Sequence, residues 1–267
     1  AAAMSLLSSR SRVRPALTAG AVLVAFLVNV WSNLAPINGQ TIGDISNNQF
    51  GDLLITPAGY AFAIWGLIYI GLFVFAAYQL RPAQQGNPRL QHSYWLAAAC
   101  GAQIVWVFLF LTGQFVASLV AMLAILVPLV GFYLSLRSEG QASRAEKWRS
   151  QRPISLYLGW ISVATILNVA IALTSAGWRG WGVPPVVWTI LMIGVAAALG
   201  ALVLWQQGDW VYPGVVVWAL VAIAVRHSDR WSLGGVAVGG AVALLLMMGW
   251  RYWTQAKAQK RYRPWRG

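Results

Sequence analysis

The chain has a single cysteine, Cys100, and only two histidines, His92 and His227. One cysteine excludes a disulfide within the chain and a cysteine metal cluster. Acidic residues are equally scarce. Asp44, Asp52, Glu139, Glu146, Asp209 and Asp229 are the only six, and each falls in a polar stretch between apolar runs or at the end of one. A proton-coupled transporter usually needs an ionisable group at mid-membrane depth, and none of the six is placed for that role. There is no glycine-rich phosphate loop, no neighbouring pair of carboxylates and no nucleophile–base set, so an enzyme is the least supported class. His92, at the edge of an apolar run, reads as an interfacial side chain before it reads as a haem or chlorophyll ligand.

What the sequence does contain is apolar surface. Of 267 residues, 59% are hydrophobic and 9% charged, the balance of a polytopic membrane protein. Sixteen Trp suit anchoring at membrane–water interfaces. A net charge of +13 would suggest nucleic acid in a soluble protein. Here the basic residues sit in loops and tails between apolar runs, so topology accounts for them and no nucleic-acid partner is expected.

Eight apolar segments are expected to span: residues 16–34, 57–80, 93–111, 115–136, 154–175, 185–205, 210–226 and 232–250. Residues 1–3, ahead of Met4, read as a start-site remnant. The first segment follows Arg10, Arg12 and Arg14 and reads as a retained span, because no small-x-small cleavage site is well placed. With the N-terminus inside, every Lys and Arg except Arg179, Arg226 and Arg230 falls on the inner side. Merging the sixth and seventh segments would put the basic tail outside, so the count is eight, with both termini cytoplasmic. Pro57 is expected in the first turn of the second span and Pro128 to kink the fourth. Gly59, Ala63 and Gly66 are expected to admit a neighbouring helix, as are Gly234, Gly235, Gly239 and Gly240 in the eighth span, within the chain or between chains. The basic, aromatic tail suits an anionic membrane surface.

One stretch carries more identity than apolarity requires. Within Tyr157–Asn168, Tyr157, Trp160, Ala164 and Asn168 share a face at roughly 100° per residue. An unsatisfied amide is costly in hydrocarbon, so this face points into the protein, as helix packing with polar glue or as the wall of a ligand site. In the second span Phe62, Trp65, Tyr69 and Phe73 form an aromatic stripe, which packing explains as readily as a ligand does. Gln103 and Trp106 lie one turn apart in the third. Above them runs a polar loop, residues 35–56, which holds Asp44 and Asp52 and no Lys or Arg. An aromatic, uncharged interior suits a flat apolar ligand with a few polar handles.

These residues resemble the translocator protein and tryptophan-rich sensory protein (TspO) family. Its final helix reads Tyr-Leu-x-Trp followed by Ala-Thr-x-Leu-Asn. The chain has Tyr157-Leu158-Gly159-Trp160 and Ala164-Thr165-Ile166-Leu167-Asn168. The second span, Thr56-Pro57-Ala58-Gly59-Tyr60-Ala61-Phe62 through Trp65 and Tyr69, is similar to the family's Thr-Pro-Pro-x-Trp-x-Phe helix, and Gln103 with Trp106 keeps its amide-x-x-Trp spacing. Tyr60 stands where the family has Trp, one residue fewer separates Phe62 from Trp65, and Gln103 replaces an Asn.

The resemblance covers residues 16–178. It implies a five-helix bundle with a pocket near the first loop that binds porphyrins, haem or sterol-like molecules. By motif position it implies a wall of Phe62, Ala63, Ile64 and Trp65 from the second span and of Ala164 and Leu167 from the fifth, with Trp160 and Asn168 close by. Tyr60 and Trp106 complete the expected ligand-binding set, with Tyr69, Gln103 and Asn168 as hydrogen-bond handles. The expectation is an all-α membrane protein with a basic segment 1–15, a five-helix TspO-like bundle over 16–178, a three-helix C-terminal extension over 179–253 and a basic cytoplasmic tail 254–267. It would bind a tetrapyrrole (porphyrin, haem or chlorophyll-type), or a carotenoid or lipid, for sensing, transport or buffering, with no catalytic residue, no metal site and no obligatory cofactor. The alternatives are an accessory subunit of a larger, pigment-bearing membrane complex and a transporter of a neutral solute. Expected partners are membrane lipids, the apolar ligand, and a second copy or a larger complex. A bacterial plasma membrane and a thylakoid suit the sequence equally.

Overall fold

In hydrocarbon every backbone N–H and C=O must be satisfied within its own segment, so each apolar run folds as a helix. The computed structural model describes residues 2–138, 140 and 142–261, with side chains from Val13 to Lys257 apart from 139 and 141. The side chains of Arg10 and Arg12, residue Glu139 and the basic side chains beyond Lys257 lie outside the described residues. The long helices are α1 (Ala2–Leu34), α2 (Ile64–Gln79), α3 (Tyr94–Leu111), α4 (Phe115–Ser138), α5 (Arg152–Ser175), α6 (Pro185–Gln207), α7 (Val211–Arg226) and α8 (Trp231–Arg261). Among the described residues seven helical stretches are long and apolar enough to cross a membrane, and α7, with 16 residues, is a shorter apolar helix. This is an all-α membrane protein of about eight spans. Gly208, left-handed at φ 61°, caps α6 and separates it from α7.

Helix α5 is the centre of the arrangement. In the most apolar 18-residue stretch of the span that contains it, 61% of the residues are buried, against at most 44% in the other six long spans. It packs against α2, α4 and α7, while α3 lies between α1 and α4, and α6 and α8 pack on α7 and on each other. Helix α7 therefore joins the last three helices to the first five. It comes close because Gly159 has no side chain: a Cβ there would sit 3.0 Å from Val215 Cβ and 3.3 Å from the Tyr212 carbonyl oxygen. Helix α4 continues through Pro128.

Two sequence expectations are corrected and a third is met in part. Pro57 is not in the first turn of a helix. Residues 56–58 have no helical structure, and the second span begins as a 3₁₀ turn, Gly59–Ala63, that becomes α-helical at Ile64. The reason is competition from α7: the Ala58 N–H donates to the Ala222 carbonyl at 3.0 Å, and the Trp218 indole donates to the Ala61 carbonyl at 3.1 Å. Among the described residues no helix of the chain packs on Gly59, Ala63 or Gly66. All three are exposed, and a Cβ at Gly66 would meet nothing within 4 Å. In α8 the four glycines divide. Gly240 faces Leu220 and Gly234 faces the His227 carbonyl, whereas Gly235 and Gly239 look into open space.

A buried carboxylate fixes one end of the α7 attachment. Asp209, in the α6–α7 turn, accepts from Tyr133 OH at 2.8 Å, from the Arg137 guanidinium at 2.7 Å and from the Ser155 hydroxyl, and its other oxygen accepts the Val211 N–H at 2.9 Å. It ties α4 and α5 to the start of α7. From sequence it is only an acid between two apolar runs, yet it is 6% exposed.

Candidate functional site

The inward face of α5 meets α2, α3 and α4 in a layer of polar and aromatic contacts. Asn168, 1% exposed, accepts from the Trp106 indole at 2.6 Å and donates to Ser118 Oγ at 3.1 Å. The Ser118 hydroxyl in turn donates to the Phe115 carbonyl at 2.8 Å. Deeper in the bundle, Tyr157 OH donates to Gln103 Oε1, Gln103 Nε2 donates to Tyr69 OH at 2.6 Å, and Tyr69 OH donates to the Ala25 carbonyl of α1 at 3.0 Å. This chain crosses from α5 through α3 and α2 to α1. It satisfies each polar group at a depth where an unpaired one would cost several kcal/mol.

Above this layer the same face opens on a cavity of about 50 Å³. Phe62 and Trp65 line it from the second span, Trp106 and Phe110 from α3, and Trp160, Ala164, Leu167 and Asn168 from α5. Trp160 meets Phe62 edge-on at 5.9 Å between ring centroids, and Trp65 stacks on Tyr69 at 5.8 Å. Ile42, Ser46, Ile55 and Pro57 of the loop between α1 and α2 close the top. Among the described residues that line the wall there is no Lys, Arg, His, Asp or Glu.

The structure thus brings seven of the expected residues, Phe62, Trp65, Trp106, Trp160, Ala164, Leu167 and Asn168, onto one cavity. The other five lie off it. Tyr60 is 42% exposed and packs edge-on against Trp218 of α7. Ala63 is exposed, and Ile64 is buried in packing. Tyr69 and Gln103 are committed to each other and to the helices around them.

Sequence reasoning missed the remaining wall. It comes from Ile193 and Ala196 of α6 and from Val216, Ala219, Leu220 and Ile223 of α7, with Met192 beside them. Generic apolar residues carry no signal of this role. One signal was present: Arg226 is among only three cations expected on the outer side. Its guanidinium donates to Asn47 Oδ1, to the Asn47 carbonyl at 3.1 Å and to the Gly51 carbonyl at 3.3 Å, and so fastens the loop over the cavity. Inside the loop, Thr41 and Asp44 form a capping box, and the hydrogen bonds from Thr41, its hydroxyl first, hold the Asp44 carboxyl below its ordinary value. Next to Arg226, burial, and then the neighbouring guanidinium, lowers the pKa of His227, and its Nε2 has no partner among the described residues.

The cavity volume is well below the range of roughly 300–1,000 Å³ in which drug-sized ligands bind. In this closed form it has room for a few water-sized molecules, and a larger ligand requires part of the wall to move.

Comparison with known proteins agrees with the architecture. No curated protein and no solved structure matches the chain. The family described as TSPO-like protein matches residues 15–250, which takes in the last three helices as well as the first five. The chain belongs to the TSPO-like family.

Proposed function

We propose that this membrane protein binds a flat or slender apolar molecule between Phe62, Trp65 and Trp160, under the loop that Arg226 fastens. The observation that carries this reading is a wall of aromatic and aliphatic side chains with no ionisable group, closed by a polar loop. Aromatic faces stack on a flat ligand, and burial of its apolar surface contributes about 25 cal/mol per Å². Because Asn168, Gln103 and Tyr69 are spent on internal hydrogen bonds, shape and apolar burial select the ligand more than polar handles do. The absence of titratable groups from the wall supports binding over chemistry.

A neutral tetrapyrrole, carotenoid or sterol-like molecule suits this wall. Haem suits it less. The wall has no imidazole for the iron and no cation for ionised propionates, and an unpaired carboxylate in such a site is strongly disfavoured. Titration of the purified chain with protoporphyrin dimethyl ester and with protoporphyrin itself tests the reading through quenching of tryptophan emission. The expected result is saturable quenching, tighter for the neutral ester, and lost in Trp160→Ala and Trp65→Ala. Quenching by neither compound, or quenching indifferent to both substitutions, overturns it. A role in assembly is a second reading, favoured by Gly235 and Gly239, which leave a smooth open strip on α8.

A further inference from the structure

The central cavity has two wider neighbours at the outer part of the α5–α6 seam. One is a groove of about 330 Å³ lined only by apolar and aromatic side chains, among them Val169 and Leu173 of α5 and the rings of Trp178, Trp181 and Trp188. The other is a vestibule of about 390 Å³ under the loop, which includes Asp52, Arg179 and Val183. Met192 of α6 lies on the wall of all three spaces. Ile166 is shared by the groove and the central cavity, and Ile55 by the vestibule and the central cavity.

The mouth of the groove is built rather than loose. Trp178 packs edge-on against Trp181 and Trp188 at centroid distances of 5.6 and 5.2 Å. The Trp188 indole donates to the Gly180 carbonyl at 3.1 Å. Gly180 has φ +74°, and a Cβ there would sit 3.2 Å from Trp188 Nε1, so the connector keeps glycine at this point. Behind this frame, the partition between a 330 Å³ groove and a 50 Å³ cavity includes the side chains of Met192 and Ile166. Methionine is unbranched and turns about three bonds at little cost, whereas isoleucine is stiff.

We propose that an apolar ligand reaches the central cavity sideways from the membrane, through the groove between α5 and α6, and that Met192 is the gate. The proposal rests on the binding role given above. Rotation of the Met192 side chain away from the partition joins the groove to the cavity and supplies the volume that the closed cavity lacks. The groove, not the vestibule, is the route, because an apolar molecule partitions into the membrane and the vestibule keeps a carboxylate and a guanidinium that favour water.

The test uses the full chain in phosphatidylcholine vesicles containing a diazirine-bearing fatty alcohol. Samples are photolysed at increasing times after mixing, and labelled residues are mapped by mass spectrometry. In the wild type, label is expected first on Leu173 in the groove and later on Val216 and Leu220, which are buried on the cavity wall. Met192→Trp is expected to slow labelling of Val216 and Leu220 roughly tenfold while Leu173 is labelled as before, and Met192→Ala to accelerate it. Val169→Trp, which fills the groove, slows it too, whereas Val183→Trp, which fills the vestibule, does not. Unchanged cavity labelling in Met192→Trp, or equal slowing by Val183→Trp, overturns the gate and moves access to the loop. A wild type in which Val216 and Leu220 are never labelled overturns the binding role itself and the gate with it.

Discussion

At the α6–α7 turn a buried carboxylate, Asp209, collects donors from α4, α5 and the start of α7, whereas at the far end of the same helix Arg226 reaches to the side chain and backbone carbonyls of a loop. The first contact is inside the protein and the second is half-buried. A lost partner in the interior leaves an uncompensated charge, while a lost partner at the loop can be replaced by water. The difference separates a contact that holds the last three helices on the bundle from one that holds a lid.

The largest effect should come from the interior. Asp209→Ala strands Arg137 and is expected to cost about 3–5 kcal/mol, seen as a fall in the thermal unfolding midpoint in detergent. A comparable loss in Arg226→Ala would erase the distinction between the two ends. Next comes Asn168→Leu, which leaves the Trp106 indole and the Ser118 hydroxyl without their partner. About 1–3 kcal/mol should be lost, measured the same way. Arg226→Ala is expected to cost about 1 kcal/mol, yet to raise amide hydrogen exchange across residues 45–56 with residues 209–212 unchanged. Faster exchange at both places would mean that the lid and the anchor open together.

The smallest effect sharpens the lid end. His227 follows α7 beside Leu54 of the loop, and its pKa in the folded protein lies below the ordinary 6.5. The unfolded chain therefore takes up a proton at higher pH than the folded one. Stability is complete above 6.5 and falls as the pH drops from there to the folded value, below which the penalty is constant. Exchange in the loop should rise over that window, and a flat profile is expected for His227→Gln.

Much of the fold was legible because the apolar runs are long and their ends are marked. Gly113 sits between α3 and α4, and Gly208 stops α6 where the charge count required a stop. The α5 face was legible because Asn168 and Trp160 are too specific for a lipid-facing stripe. The opening of the second span was not, since Pro57 signals a helix start only when nothing else takes the neighbouring backbone groups, and α7 takes them. The α6–α7 wall was illegible for a different reason. Ile193, Ala196 and Val216 face the cavity by virtue of how α7 docks on Gly159, and that docking is a tertiary fact. Asp209 shows the same limit, because its burial depends on Tyr133 and Arg137, more than seventy residues away in sequence.

The brevity of α7 bears on the bilayer itself. Sixteen helical residues rise roughly 24 Å, short of a hydrocarbon layer of about 30 Å. Most of the helix is wrapped by α5, α6 and α8, so its length is set by the protein at both ends. Where Trp218 and Val221 do reach the surface, lipid chains must shorten or headgroups must dip to meet Arg226. Such mismatch costs fractions of a kcal/mol per Å. Acyl-chain length is therefore expected to act on the same end of α7 that fastens the loop, which would make the thickness of the host membrane a variable in how firmly the cavity is closed.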